Sequence, residues 1–432
     1  MNPNVSDNEL IEILKRRAFE YFRDQWNPVN GLIADKNKPG TPASIAVLGM
    51  GLSVYTVAVE CALLTRAEAV ERTLKALRFL QTSEQSANHD ATGCRGFYYH
   101  FLDMESGKRA WKSELSTVDT AILMAGVLTA RNYFTGENSE ERELREIADF
   151  LYQRVEWNWA LNGAVTLTHG WKPERGFLRY RWNKDYSEAM ILYTLALGSP
   201  THAIDPAGYL EWISSFETQT IYGIETLHAG PLFIHQMSHL WIDFRGIRDQ
   251  FCRKVGFDYF ENSKRATQIQ QQYAIQNPRK FINYGKYFWG LTASDGPGKA
   301  VRTVNGVKRY FYDYRARGVP HGPDDGTVSP WAVVASLPFA PDIVLDTIRN
   351  LITQLGDTHM CEYGFDASYN SSFTTRGKES EWHSPWIFGL NQGALILMIE
   401  NYQTGLIWKT FNEISYVKIG LEAAGFASAV KK

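Results

Sequence analysis

Helical periodicity constrains this chain more than any other feature. Apolar residues return at intervals of three and four over about a dozen segments. They predict helices at 8–26, 44–64, 67–81, 116–133, 140–155, 186–197, 206–215, 231–241, 257–277, 330–337, 341–351 and 392–402. Caps mark several starts: Ser116 precedes an apolar run, Pro206 follows Asp205, and Pro341 stands between Ala340 and Asp342. Proline suits a first turn because its missing N–H costs no hydrogen bond there. The connections at 93–112, 163–185, 281–327 and 364–388 are long and rich in glycine, proline and aromatics. Strand-like stretches at 164–167, 175–181 and 307–312 lie within them as candidate hairpins. Paired helices joined alternately by short turns and long loops describe an all-α toroid, with the loops gathered at one end to build a cleft.

With 432 residues, 44% of them hydrophobic, the chain can bury one large core, and 1–432 reads as a single domain. It has no fixed-period repeat, no low-complexity segment and no Pro/Ser linker. A formal charge of −2 with dispersed basic residues gives no footprint for nucleic acid or anionic membrane, so the expected ligand is neutral or mildly polar. The four cysteines, Cys61, Cys94, Cys252 and Cys361, lie far apart without C-x-x-C spacing, which indicates neither a redox motif nor a zinc knuckle. The first residues pass directly into an amphipathic helix without an apolar leader core. The expectation is a cytoplasmic protein if that start is native, and a periplasmic or secreted one if a leader was removed. Oligomeric state is not legible.

One segment, GPLFIHQMSHLWIDFRGIR (230–248), places His235, Gln236, His239, Trp241, Asp243 and Arg245 in an otherwise apolar run. Burying so many polar groups unpaired is costly, so either they satisfy one another in a core or they line a wet pocket; the pocket is the reading carried forward. His235 and His239 would share one helix face, a geometry zinc can use. The segment nevertheless lacks the glutamate of H-E-x-x-H and any nearby third ligand, so no metal or cofactor is expected. Aromatics make up 13% of the chain, with 13 Trp and 22 Tyr. Aromatic faces cover the apolar side of a pyranose while carboxylates, amides and guanidinium groups bond its hydroxyls, which suggests a carbohydrate ligand.

The runs WKSELSTVDTAILMAGVLTARNYF, YSEAMILYTLALGSPTH, PLFIHQMSHLWIDFRGIRD, YFENSKRAT, WGLTASDGP, DDGTVSPWAVVASLPFAPDIVL, YGFDASYN and NQGALILMIENYQTGLIW carry a family likeness. Together, over roughly 93–426, the chain resembles the bacterial glucoamylase-like proteins that include endo-β-1,2-glucanases, and the related domain of cyclic β-1,2-glucan synthases. The resemblance implies an all-α (α/α)6 barrel and cleavage of β-1,2-glucan to sophoro-oligosaccharides, endo-acting and with inversion at the anomeric carbon. One position departs from the pattern. Where the family commonly reads G-I-D-Q-G, this chain reads Gly389-Leu390-Asn391-Gln392-Gly393, and an amide cannot act as a base.

Glycoside hydrolysis needs one carboxylic acid to protonate the leaving oxygen and a second carboxylate to activate water or attack the sugar. Glu188, after an aromatic loop and at a predicted helix start, matches the position that the resemblance implies for the general acid. Its bland alternative is a capping glutamate. Asp119 is preferred over Glu114 as an inward-facing carboxylate, because small apolar residues from Ala121 to Gly126 follow it; Glu114 is kept as a substrate contact. Asp366 is the candidate base, acting directly or through a substrate hydroxyl, with an Asx-turn role as its alternative. Substrate contacts are further expected from Trp171, Trp182, Tyr193, Gln236, His239, Trp241, Arg245, Trp289, Asp295 and Asn391, and Trp386 adds a stacking face. Asp324 and Asp325 read as a turn, with calcium a distant alternative. Competing functions are an exo-acting sophorose-releasing enzyme, a transglycosylase, a catalytically silent glucan-binding protein, and a toroid isomerase or epimerase of free sugars.

Overall fold

The computed structural model describes residues 5–355, 360–374 and 381–428. Its helices, in chain order, begin with α1 Asp7–Asp24, α2 Ile45–Glu60, α3 Arg66–Thr82, α4 Thr117–Tyr133 and α5 Ser139–Gln153. Then follow α6 Met190–Leu197, α7 Ala207–Ser214, α8 Gln250–Val255, α9 Tyr259–Gln276 and α10 Pro330–Val334. The last are α11 Pro341–Leu355, α12 Gly389–Gln403, α13 Leu406–Asn412 and α14 Ser415–Ala423. The chain divides into two compact units that interleave in sequence. Unit A comprises Phe22–Phe216, Ser238–Asp258 and Thr404–Lys432; unit B comprises Met1–Tyr21, Glu217–Met237 and Tyr259–Gln403.

Unit A is built by close helix packing. Helices α2 and α4 touch where Gly49 and Gly126 meet: a Cβ on Gly126 would stand 1.9 Å from the Gly49 carbonyl oxygen. The run after Asp119 therefore meets α2 backbone to backbone at Gly126, where the missing Cβ lets the two helices close. Helices α6 and α14 meet the same way, with a Cβ on Gly420 coming within 1.9 Å of the Thr194 carbonyl oxygen. A three-stranded sheet of β1 Leu115–Ser116, β2 Gly170–Lys172 and β3 Gly176–Phe177 lies at the start of α4, with Leu115 opposite Trp171.

Unit B combines α9, α10, α11 and α12 with hairpins: β4 Thr218–Ile221 with β5 Ile224–Leu227, β6 Ala300–Val304 with β7 Val307–Phe311, and β8 Tyr369–Thr374 with β9 Glu381–His383. Its buried charges are matched. Lys15 of α1 donates to Glu400 of α12 at 2.8 Å, and the fully buried Arg317 forks onto Asp325 at 2.7 and 2.8 Å. Pairing of this quality is what makes buried charge tolerable.

Three sequence expectations are corrected here. The helix expected at 231–241 is two short 3-10 helices, Leu232–His235 and Met237–Leu240, because its side chains bond to backbone on several different segments. The helix expected from 186 begins at Met190, so Glu188 sits in the turn before it. Of the strand-like stretches, 307–312 forms β7, 175–181 holds only the two-residue β3, and 164–167 is not a strand. Helices α8, α13 and α14 were not expected; each is too short to show a clear period.

Candidate active site

Unit A concentrates ionisable groups around the start of α4. Ser116 caps that helix by accepting the Asp119 N–H at 3.2 Å, and Thr117 Oγ1 donates to the Thr168 carbonyl at 2.8 Å. The cap fixes Asp119 in the first turn. Gly170 allows strand β2 to lie against Leu115, since a Cβ there would sit 2.2 Å from the Leu115 carbonyl oxygen. Into this frame comes His100, whose Nδ1 lies 3.2 Å from Glu114 Oε1 and 3.5 Å from Asp119 Oδ2. Burial pulls the imidazole down, yet the charges of Asp119 and Glu114 outweigh it and hold His100 up at about 9. The hydrogen bond from His100 holds Glu114 down at about 2, against the effect of burial. His100 also stacks flat on Phe101, with centroids 4.0 Å apart.

Glu188 is the second element of the site. Ser238 Oγ accepts the Ile191 N–H at 3.1 Å and donates to the Glu188 carbonyl at 2.9 Å, pinning the turn that carries it. Burial pushes the Glu188 carboxyl up to about 7; its own backbone N–H opposes the shift and the charge of Asp119 adds to it. A carboxyl raised toward neutrality, with the charge of a second carboxylate adding to the shift, is an arrangement that lets two chemically similar groups take opposite roles. Nearby, Trp182 stacks on His169 with centroids 3.8 Å apart and donates its Nε1–H to Thr117 Oγ1 at 3.1 Å. Trp171 on β2 keeps a partly exposed face.

In unit B, Asp366 Oδ2 lies 2.7 Å from His383 Nδ1, and the other ring nitrogen of His383 lies 3.9 Å from Glu381. Asp295 is partly exposed, and its carbonyl accepts from Ser368 Oγ at 2.9 Å. Asn391 stands in the first turn of α12 and is 6% exposed. Asp324 accepts from the hydroxyls of Tyr273 and Tyr284 at 2.7 and 2.8 Å, and Asp325 from Arg317. Those contacts assign both aspartates to the fold and displace the calcium alternative. Trp386 is partly exposed.

The pocket reading of 230–248 is corrected by the same bookkeeping. His235 Nε2 lies 3.0 Å from the Ala229 carbonyl oxygen and its Nδ1 3.4 Å from the Asn262 amide nitrogen. Gln236 donates to the Ala332 carbonyl at 2.6 Å and to Ser336 Oγ at 2.8 Å. Trp241 is fully buried and donates to Ser53 Oγ at 2.9 Å; Trp289 is buried and donates to Thr347 Oγ1 at 3.0 Å. His239 is 1% exposed, and its carbonyl accepts from Trp408 Nε1. Tyr193 is buried with its hydroxyl on the Trp182 carbonyl at 2.6 Å. Tyr193, Gln236, Trp241 and Trp289 thus spend their donors inside the fold, and the buried His239 ring packs edge-on against Phe244 with centroids 4.8 Å apart. Arg245 is exposed, forked onto Asp243 and laid over the Trp408 ring at 4.5 Å. The segment serves the site through Ser238, which the sequence reading passed over along with His100 and His383. A lone serine or histidine carries no local signal of such a role.

Known proteins resemble this chain in fold and in sequence. The family described as "Putative glucoamylase" (Glycoamylase) matches residues 179–415. A curated relative, the exo beta-1,2-glucooligosaccharide sophorohydrolase (non-reducing end) of Parabacteroides distasonis, is 30% identical over 97% of this chain, and the chain spans 58% of that relative's length. The crystal structure of a putative glucoamylase from Bacteroides uniformis superposes with a TM-score of 0.86 at 32% identity, covering 98% of both chains. The endo-beta-1,2-glucanase of Chitinophaga pinensis, solved with sophorotriose and glucose, gives a TM-score of 0.85 at 27% identity over 98% of this chain and 99% of that one. With a family match over more than half its length, this chain belongs to the putative glucoamylase family.

Proposed function

We propose that the chain is a glycoside hydrolase of (α/α)6-barrel architecture that cleaves β-1,2-glucosidic bonds, with Glu188 as general acid. The observation that carries this reading is the Glu188 carboxyl, held up at about 7 by burial with Asp119 beside it. An acid with that value is protonated on a useful fraction of molecules at neutral pH and still transfers its proton readily. Asp366 is proposed as the base, directly or through a substrate hydroxyl, with His383 fixing the orientation of its carboxylate. Glu114 and Asp119, tied through His100, are proposed to bond sugar hydroxyls, as are Asp295, Arg245 and Asn391, while Trp171, Trp182 and Trp386 offer ring faces.

We take the endo mode with inversion as the first reading, supported by the similarity to the Chitinophaga pinensis enzyme. An exo mode releasing sophorose is the second reading, favoured by the name of the Parabacteroides distasonis relative. Chromatography of products from linear β-1,2-glucan, with laminarin and starch as controls, separates them. Mixed sophoro-oligosaccharides early in the reaction are the expected result, and sophorose alone would select the exo mode. Glu188→Gln should abolish both. Glucan that is bound but never cleaved by the wild type would overturn the hydrolase reading in favour of a binding protein, and turnover of free sugars alone would select an isomerase.

A further inference from the structure

Trp111 is one of the most exposed large hydrophobic side chains of the chain, 61% accessible, and it is held there against backbone preference. Both Trp111 and Lys112 have positive φ, at 54° and 51°. They are the central residues of a turn closed by the Ser113 N–H on the Ala110 carbonyl at 3.0 Å. Positive φ at both central positions is the pattern that Asn and Gly ordinarily fill, and a bulky tryptophan is disfavoured in it. The turn is nonetheless clamped from several sides. Lys172 donates to the Lys112 carbonyl at 2.8 Å, Arg109 to the Ser113 carbonyl at 2.6 Å, and Ala110 to the Phe101 carbonyl at 2.9 Å. Strain that the surroundings enforce at an exposed aromatic asks for a use.

The use follows from what the ring touches. Trp111 packs on Phe101 with centroids 4.9 Å apart, Phe101 stacks on His100 at 4.0 Å, and His100 reaches Asp119 at 3.5 Å. Three rings thus run in file from solvent to the Asp119 carboxylate. Lys172, which clamps the turn, also approaches Glu114 at 3.9 Å, so the turn is tied to the site by a second route. Flat apolar rings flanked by charged donors suit the C–H face of a pyranose and its rim of hydroxyls.

We propose that Trp111 is a sugar-stacking platform, which binds a glucosyl unit of β-1,2-glucan at the outer end of the site. The inference rests on the hydrolase reading above and adds a binding position to it. It also explains why a tryptophan occupies a turn that glycine would fill with less strain.

The test compares Glu188→Gln with Glu188→Gln/Trp111→Gly, measuring Kd for linear β-1,2-glucan by calorimetry and Tm by thermal unfolding. Glycine relieves the turn, so Tm should stay level or rise while binding weakens about three- to ten-fold, the loss expected of one aromatic contact. Trp111→Phe in the same background should recover most of the affinity. Equal Kd in the two proteins would overturn the platform while leaving the hydrolase reading intact. A lower Tm for the glycine variant without weaker binding would likewise overturn it, by showing that the ring serves the fold. No binding of the glucan by Glu188→Gln, together with no cleavage by the wild type, would remove both readings.

Discussion

A carboxylic acid that gives up a proton at neutral pH must first be kept from ionising, and Glu188 owes that to its surroundings. Its carboxyl stands at about 7 instead of 4.5, so between those values the folded chain holds a proton that the unfolded chain releases. The stabilisation is complete below 4.5 and is lost as pH rises through about 7. Glu188→Gln, which cannot ionise, should therefore gain on the wild type from pH 5 to pH 8, by at most about 3 kcal/mol. Urea unfolding at three pH values measures the difference, and a constant offset would show that Glu188 is not desolvated. Catalysis should follow the same group, with kcat/KM declining above about pH 7. His100 works in the same sense, at higher pH. Its raised value of about 9 contributes stability that is full below the usual 6.5 and lost through 9, while the lowered value of Glu114 contributes stability that is full above 4.5 and lost toward 2. His100→Gln should cost about 1–2 kcal/mol between pH 4.5 and 6.5, with the deficit closing on both sides. A pH-independent loss would mean that packing on Phe101, not charge, holds the histidine. The sequence reading took Glu188 from the family resemblance and Asp119 and Glu114 from the helix start at Ser116; His100 was out of reach because its meaning depends on carboxylates 14 and 19 residues further along.

Elements that were long and periodic were legible, and elements that depend on distant partners were not. Helices α2 to α5 lie within a few residues of where apolar spacing and caps put them, because periodicity and burial agree there. The 230–248 segment misled for a physical reason. Its polar groups looked unpaired, yet the partners of Gln236 and Trp241 lie 96 and 188 residues away, and no local pattern announces them. Once those bonds are seen, an apolar stretch dense in donors becomes the hydrogen-bonded interior of a fold. The Ala121–Gly126 run was read only as a reason to turn Asp119 inward, and Gly126 proves to face the Gly49 carbonyl with room for hydrogen alone. Gly126→Ala should therefore destabilise by about 2–3 kcal/mol, although alanine is the better helix former by about 1 kcal/mol. Thermal unfolding should show a Tm several degrees lower. An unchanged Tm would mean that α2 and α4 can separate without loss. Gly256→Ala is a useful contrast, since that residue ends α8 at a φ of 84° with nothing near its missing Cβ. Its cost should come from backbone conformation alone, about 1 kcal/mol.

Over the whole molecule, 45 basic and 47 acidic residues nearly cancel, and many pair at the surface, as in Arg78 with Glu143 and Lys418 with Glu413. Such a surface does little to steer a charged ligand, and a glucan carries no charge to be steered. The groups proposed to meet the sugar bond to hydroxyls at contact distance, where mobile ions neither enter nor compete. Those ions screen interactions reaching beyond about 10 Å at 0.1 M salt and about 3 Å at 1 M. Encounter and binding should therefore be nearly indifferent to ionic strength. We expect kcat/KM on linear β-1,2-glucan to change by less than about two-fold between 50 mM and 500 mM NaCl at pH 6, since electrostatic attraction is what salt weakens. The exposed ion pairs should also matter little to folding, and Tm should move by no more than a degree or two over that range, as expected for surface pairs worth a few tenths of a kcal/mol each. Steady-state rates and Tm measured side by side keep the two effects apart. A ten-fold fall in kcat/KM at constant Tm would show that charge attracts the substrate, and would redirect the search toward glucans bearing anionic substituents.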